Sequence, residues 1–287
     1  MKNKQERKWN IITAICLCGI VISVLVIDTN YYRQWKDKHE LLTQQEELVA
    51  EKAEATHPQK SVVEYPQEVA VERQIVTPIK KPEILEEYKK LYEQNSNLIG
   101  WLSIKDTVID YPVMQTPEDE SKYLYQDFYG DENKNGCLVM DTDSVVGNGT
   151  LQKNYKNGTA PSTNLIIHGH TMRSGMMFGD LDLYKEEEYG KKHSNICFDS
   201  LYEHREYELI SAFYSQVYYE NEDVFKYYQF FQADTKAEFD DWYKNIKKMS
   251  LYDTGVEAEF GDEFITLSCC AYHVENGRFV VVGKRIR

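Results

Sequence analysis

The chain has 287 residues, with 47 acidic side chains against 33 basic ones and a formal net charge of −14. This length accommodates one good-sized domain with additional segments, and a hydrophobic content of 42% is ordinary for a folded protein. The negative charge argues against a nucleic-acid partner, because binding phosphates requires a positive surface.

The first residues of the chain are basic and the next are apolar. Residues 1–8 contain four Lys or Arg side chains and one acidic side chain, and residues 9–27 are almost wholly apolar. About 20 apolar residues are enough to cross a bilayer, and flanking segments rich in Lys and Arg stay in the cytoplasm. The sequence therefore predicts a cytoplasmic tail at 1–8 and a transmembrane anchor at 9–28, with the rest of the chain outside. A cleaved signal sequence is the alternative, but its apolar core spans only about 7–15 residues, and no Ala-x-Ala site follows here.

Residues 29–81 are predicted to form an extracellular stalk. Its first half has apolar residues at helical spacing, and the segment 57–81 contains Pro58, Pro66 and Pro78. A helix followed by an extended, proline-containing linker fits this composition. A coiled-coil dimer is the sharper alternative, but no heptad of apolar positions is sustained long enough to support it.

A folded domain is predicted at 82–287. It opens with Pro82, a residue favoured at the first position of a helix, and an apolar stripe at helical spacing comes next. Short apolar and β-branched segments separated by turn residues follow, a pattern typical of a closed barrel or a sandwich. These predicted strands are 101–104, 108–114, 136–140, 165–167, 207–214, 264–268 and 279–282.

One later helix is marked by its first residues. Thr235 and Glu238 have the spacing of a capping box, in which each side chain satisfies a backbone N–H near the other. The apolar residues that follow recur at helical spacing, and we expect their common face to pack on the sheet. They are Phe239, Trp242, Tyr243, Ile246 and Met249.

Two strand-like runs end on chemically reactive side chains. The run 264–267 leads to Cys269 and Cys270, and the turn Asn276-Gly277 then leads to Arg278. A thiol at a strand end, with a guanidinium on the adjacent strand, can serve as a nucleophile whose developing negative charge is stabilised. The run 164–167 leads to His168, Gly169 and His170 in the same way. A cysteine and a histidine far apart in sequence fit a Cys–His site assembled by the fold.

These motifs resemble those of sortases. Thr266-Leu267-Ser268-Cys269-Cys270 is similar to the Thr-Leu-x-Thr-Cys signature of that family, Gly169-His170 to its histidine motif, and Arg278 to its arginine. Residues 98–115 resemble class B sortases in particular, and the resemblance covers roughly 83–287. It implies a mainly β fold: a closed barrel of about eight strands, with an N-terminal helix and a second helix in the long connection before the cysteine strand.

The resemblance also implies a mechanism and a location. Cys270 would attack a threonine carbonyl in a C-terminal sorting signal, Arg278 would stabilise the oxyanion, and His170 would protonate the departing amine. The thioacyl-enzyme would then pass the surface protein to an amine of a peptidoglycan precursor. The expected enzyme is a single-pass type II membrane protein of a Gram-positive bacterium, with its catalytic domain outside the cell. This chemistry requires no cofactor or metal.

Other residues near the motifs have less specific expectations. Cys269 stands where the family usually has threonine, which leaves open that it shares or takes the role of Cys270. Strand alternation would allow only one of the two to face His170. Ser268, Cys269, His168 and Thr171 are expected to contact substrate, His168 as a wall of the groove. No third group that orients His170 is evident in the sequence.

Metal sites of two kinds have little support in the sequence. A zinc site formed by the His-x-His and Cys-Cys pairs is disfavoured, because adjacent cysteines do not easily bind one tetrahedral ion and no Cys-x-x-Cys spacing is present. Calcium, which some sortases of other classes use, has no acidic loop here that we can assign.

Four competing functions remain open from the sequence. A pilin-polymerising sortase would use the same residues with a lysine acceptor, and a cysteine hydrolase would use water. A non-enzymatic surface adhesin would need neither Cys270 nor His170. An L,D-transpeptidase is weaker, because its His and Cys motifs lie closer together. Substrate specificity is expected to reside in loops around 171–183 and 219–239.

Overall fold

A computed structural model describes residues 2–56 and 80–287. The chain divides into two compact units, residues 1–46 and residues 47–287. The first helix, α1 (Lys2–Thr56), contributes to both.

The first unit is helical throughout its described residues. Apolar side chains such as Ile15, Leu25 and Ile27 are exposed along it. The stretch Ile15–Ala55 contains an 18-residue window with mean hydropathy 1.8, so this helix is long and apolar enough to cross a membrane. Secretory signal sequences can share that property. The predicted helix in the first half of the stalk is confirmed, while the predicted extended segment 57–81 lies almost wholly outside the described residues.

The second unit begins in the last turns of α1, ahead of the predicted start of the domain at 82. Leu48 is buried in one apolar cluster with Tyr88 and Leu91 of helix α2 (Glu86–Gln94). The prediction that this helix starts at Pro82 is wrong. The backbone N–H of Leu85 donates to the carbonyl of Leu201 at 2.7 Å, and Leu85 is extended with ψ of 141°, so helical geometry begins only at Glu86.

Eight strands form the closed barrel that the sequence predicts. Their order around the barrel is β1-β2-β3-β4-β7-β8-β6-β5, and antiparallel pairing of β1 with β5 closes it. Seven strands overlap predicted segments, and β5 is the one that no predicted segment covers. The strands are β1 (Leu98–Ser103), β2 (Asp110–Met114), β3 (Leu138–Met140), β4 (Asn164–Gly169), β5 (Asn195–Ser200), β6 (Glu206–Gln216), β7 (Phe264–Cys270) and β8 (Gly277–Arg285).

The pairing of β4 with β7 decides where the reactive residues lie. These two strands are parallel and in continuous register from Asn164 opposite Phe264 to Gly169 opposite Cys269. At the start of the pair, the Thr266 hydroxyl donates to the side-chain oxygen of Asn164 at 2.9 Å, and both residues are buried. Because parallel neighbours end at the same edge of a sheet, the residues that follow both strands are brought together.

Two α-helices lie in the connections that follow β4, the short α3 (Glu187–Lys192) and the longer α4 (Lys236–Met249). Helix α4 starts with the predicted capping box, since the Thr235 hydroxyl accepts from the Glu238 N–H and the Glu238 carboxylate accepts from the Thr235 N–H. Its apolar face packs on the barrel, as expected. Trp242 stacks on Phe230 at 4.4 Å and meets the edge of Phe264 of β7 at 4.8 Å between ring centroids.

Candidate active site

The three residues predicted to be catalytic lie at one edge of the barrel. Gly169 pairs with Cys269, so His170 and Cys270 are the next residues at the ends of their parallel strands. On the other side of β7, Cys270 pairs directly with Arg278 of the antiparallel β8. Side chains that are directly opposite in an antiparallel pair lie on the same face of the sheet. The barrel therefore brings a thiol, an imidazole and a guanidinium from three adjacent strands to one edge.

The two adjacent cysteines have different surroundings. Cys269 is only 2% exposed, whereas Cys270 is partly exposed. Burial raises the pKa of the Cys269 thiol to about 12, so this side chain stays in its thiol form at neutral pH. Since the thiolate is the reactive form, Cys269 is a poor nucleophile, and Cys270 is the more accessible of the two thiols.

His170 is held by a backbone group. Its Nε2 lies 2.7 Å from the backbone carbonyl of Leu124. A carbonyl can only accept a hydrogen bond, so Nε2 carries a proton and Nδ1 is the nitrogen available for proton transfer. The Tyr125 ring lies against the imidazole, with 5.6 Å between the ring centroids. A backbone carbonyl is present at every residue, so no sequence pattern could have revealed this partner.

Arg278 is positioned by the tight turn before β8. Asn276 has a positive φ of 54°, and a Cβ on Gly277 would clash with the carbonyl of Ala271. The Arg278 Nη1 donates to the carbonyls of Gly277 at 3.0 Å and Asn276 at 3.3 Å. The turn therefore fixes the guanidinium beside the strand end that carries Cys270.

Two residues predicted to bind substrate make contacts inside the protein. The Thr171 hydroxyl donates to the backbone carbonyl of Cys270, which joins the end of β4 to the end of β7. Ser268 is buried, and its hydroxyl lies 2.7 Å from the Tyr227 hydroxyl. Burial raises the pKa of Tyr227. Both contacts therefore stabilise the segments that surround the predicted catalytic residues.

A groove of about 580 Å³ lies beside this end of the barrel, with Arg278 in its lining. Among the described residues, Cys270 and His170 do not line it themselves, but Leu124, which holds His170, and Arg278, which pairs with Cys270, both do. His168 lies in its wall. The lining residues are Glu118, Asp119, Glu120, Ser121, Leu124, Val139, Asp141, His168, Val217, Tyr227, Tyr228 and Arg278.

One wall of this groove is strongly acidic. The His168 Nε2 lies 3.1 Å from the Asp141 carboxylate, and Glu120 faces the same pair. Partial burial and then the negative charge of Asp141 raise the pKa of Glu120. The sequence signal for this wall is the acidic run at 118–120. It could not be assigned to a site because Asp141 and His168, which the barrel brings beside it, are distant in sequence.

Comparison with known proteins identifies the family. No protein-family model matches the chain. Sortase B of Listeria monocytogenes is 30% identical over 206 residues, which cover 71% of this chain and 76% of that protein. The crystal structure of sortase B from Bacillus anthracis in complex with AAEK1 matches with a TM-score of 0.58 and 26% identity, over 73% of this chain and 89% of that one. A Staphylococcus aureus sortase B–substrate complex has the same fold, with a TM-score of 0.59 at 24% identity over 71% of this chain and 86% of its own.

The chain belongs to the class B sortases. It is therefore a cysteine transpeptidase of the family that anchors proteins to the cell wall.

Proposed function

We propose that this sortase cleaves a C-terminal sorting signal at a threonine carbonyl, with Cys270 as nucleophile, and transfers the released acyl group to a cell-wall amine. The observation that carries the proposal is the strand register. It aligns Cys270 with Arg278 on one side and with the strand leading to His170 on the other.

In the first half of the reaction, the Cys270 thiol gives its proton to His170 Nδ1, and its sulfur forms a bond to the threonine carbonyl carbon. The carbonyl oxygen becomes an oxyanion, and the Arg278 guanidinium stabilises it. When the tetrahedral intermediate collapses, the C–N bond breaks and the electron pair leaves with nitrogen, which takes a proton from His170 Nδ1. The Leu124 carbonyl keeps the opposite side of the ring in place throughout.

In the second half, an amine attacks the thioester carbon and gives a proton to His170. The C–S bond then breaks, the sulfur takes the proton back from His170, and the Cys270 thiol is regenerated as the new amide leaves. Water could attack in place of the amine and would yield the free acid. A transpeptidase therefore differs from a hydrolase in how strongly an added amine diverts product to the amide.

We also propose the chain's arrangement at the cell surface. Residues 1–8 form a cytoplasmic tail, 9–28 a single transmembrane anchor and 29–81 a stalk, and 82–287 carry catalysis outside the cell. Support comes from the basic residues before the apolar helix and from the length of that helix. Both the sorting signals of surface proteins and the amines of peptidoglycan precursors would be accessible there.

The test uses the full chain in detergent with a library of quenched peptides that contain threonine. We expect cleavage that disappears in Cys270→Ala, and product that shifts to an amide when an amine nucleophile is added. Product that remains the free acid at saturating amine would indicate a hydrolase. Cleavage that survives Cys270→Ala would overturn the proposed nucleophile.

A further inference from the structure

Three side chains in the groove wall converge on one point. A carboxylate oxygen of Glu120, one of Asp141 and a ring nitrogen of His168 all lie within 4.8 Å of one another. These residues come from three separate parts of the chain, and none of them has a role in the proposed transpeptidation steps.

The spacing suits ligands of a single metal ion. Two ligands about 2.1 Å from an ion and at right angles to each other are about 3.0 Å apart. The His168 Nε2 and the Asp141 Oδ2 are 3.1 Å apart, so both atoms could contact one ion with little movement. The third oxygen, from Glu120, has to move by less than the length of its side chain, which lies in the open groove.

Two of the three residues are held by the barrel. His168 pairs with Val139 of β3, and the Asp141 N–H donates to the carbonyl of Ile166 of β4 at 2.9 Å. The Glu120 carboxylate accepts from the Thr142 N–H at 3.4 Å. The two carboxylates face each other at close range, so their charges repel, and a cation between them would remove that repulsion.

His204 also has two carboxylates beside its ring, but they are placed differently from those beside His168. His204 lies 3.1 Å from Asp199 through Nδ1 and 3.2 Å from Glu87 through Nε2. Its two carboxylates therefore contact different ring nitrogens, and one ion cannot bind the imidazole and both of them. In the groove, both carboxylates lie on the same side of the imidazole.

We propose that Glu120, Asp141 and His168 form a binding site for a divalent first-row transition ion such as Zn²⁺ or Mn²⁺. An imidazole with two carboxylates suits these ions, whereas Ca²⁺ and Mg²⁺ prefer oxygen ligands alone. Three protein ligands leave coordination positions open toward the groove.

The site has a consequence for activity, and this part of the inference rests on the proposed function. His168 and Arg278 line the same groove, so a bound ion takes up space and adds positive charge where a peptide has to lie. The ion competes with the sorting signal and raises its apparent KM, while kcat changes little.

The binding test uses Co²⁺ as probe, because its visible spectrum distinguishes oxygen and nitrogen ligands from thiolate. The protein is the full chain in detergent carrying Cys270→Ala, so the nucleophilic thiol cannot bind the metal. We expect d–d absorption that saturates, and an affinity lower by more than about tenfold when Asp141→Asn or His168→Gln is added. The matched control, His204→Gln, retains the full affinity. Equal affinity in all of these variants, or no saturable absorption in the Cys270→Ala protein, overturns the site.

The activity test compares the chain with and without His168→Gln, each with its own Mn²⁺-free rate as reference. We expect Mn²⁺ to raise the apparent KM for a cleaved peptide when His168 is present and to have at least about tenfold less effect in His168→Gln. Inhibition that is equal in both overturns the competition. If no peptide is cleaved at all, the proposed function fails, whereas the Co²⁺ titration still decides whether the metal site exists.

Discussion

Strands β7 and β8 serve different purposes at their two ends. Toward one end, Phe264 and Val282 are buried with residues of helix α4 in one apolar cluster. At the other end, the same strands carry Cys270 and Arg278, which are both partly exposed, and Arg278 lines the groove. The covered end supplies packing energy, and the uncovered end presents polar groups that the packed part holds in register. Stability and chemistry are therefore expected to respond to different substitutions on the same two strands.

The largest expected effect is on activity, at the uncovered end. Cys270→Ala removes the proposed nucleophile, so peptide cleavage should fall by at least about a thousandfold. The free energy of unfolding should change by less than about 0.5 kcal/mol, because the side chain is partly exposed. The measurement pairs initial rates with urea unfolding.

Cys269→Ala is the matched control for that prediction. Cys269 is buried, so the substitution should lower the free energy of unfolding by about 1 kcal/mol and leave the rate within a few-fold. If Cys269→Ala is the inactive variant instead, the register of the nucleophile is wrong by one residue.

The second effect is on stability, at the covered end. Trp242→Ala removes a side chain that packs between Phe230 and Phe264, and we expect a loss of about 3–5 kcal/mol in the free energy of unfolding. The kcat of the folded fraction should stay close to that of the parent. A large fall in kcat at unchanged stability would show that packing under helix α4 directly affects catalysis at the other end of the strands. Lys244→Ala, at an exposed position of the same helix, is the control for introducing an alanine into α4.

Next in size is the loss of the guanidinium. Arg278→Ala should lower kcat by about 10²–10³, the range for removing one oxyanion donor. Arg278→Lys should recover only part of this, because an ammonium lacks the planar fork of donors. Single-turnover acylation kinetics measure the step directly. A variant that raises KM alone, with kcat intact, would assign Arg278 to substrate binding instead.

The smallest expected effect concerns the hydrogen bond between the Tyr227 and Ser268 hydroxyls. Tyr227→Phe removes the hydrogen bond to Ser268 and should cost about 1 kcal/mol in the free energy of unfolding. Ser268→Ala should cost a similar amount, and the double variant should cost less than the sum of the two because they share one interaction. Strict additivity would mean that the two hydroxyls act independently.

The barrel could be predicted because most of its strands are strongly apolar and separated by turn residues. Strand β5 reads Asn-Ile-Cys-Phe-Asp-Ser, and its alternate side chains are exposed or partly exposed, so composition alone does not distinguish it from a loop. The start of α2 was missed for another reason. A backbone hydrogen bond to Leu201, distant in sequence, keeps Leu85 extended, and no local propensity reports such a contact.

The parts of the site that consist of local side-chain motifs could be predicted from the sequence. The motifs around His170, Cys270 and Arg278 are local, and a family resemblance gives them roles. The partner of His170 is a backbone carbonyl, and the acidic wall combines Glu120, Asp141 and His168 from three segments. Neither has a sequence signature, because both exist only once the strands are paired.

The most direct test of the proposed mechanism is to trap the acyl-enzyme on Cys270. The full chain would be mixed with a cleavable threonine peptide, quenched in acid, and analysed by intact mass and by fragmentation of the peptide containing residues 269 and 270. We expect an adduct with the mass of the acyl portion of the peptide, attached to Cys270 and removed by an added amine. An adduct on Cys269, or turnover without any adduct on Cys270, would contradict it.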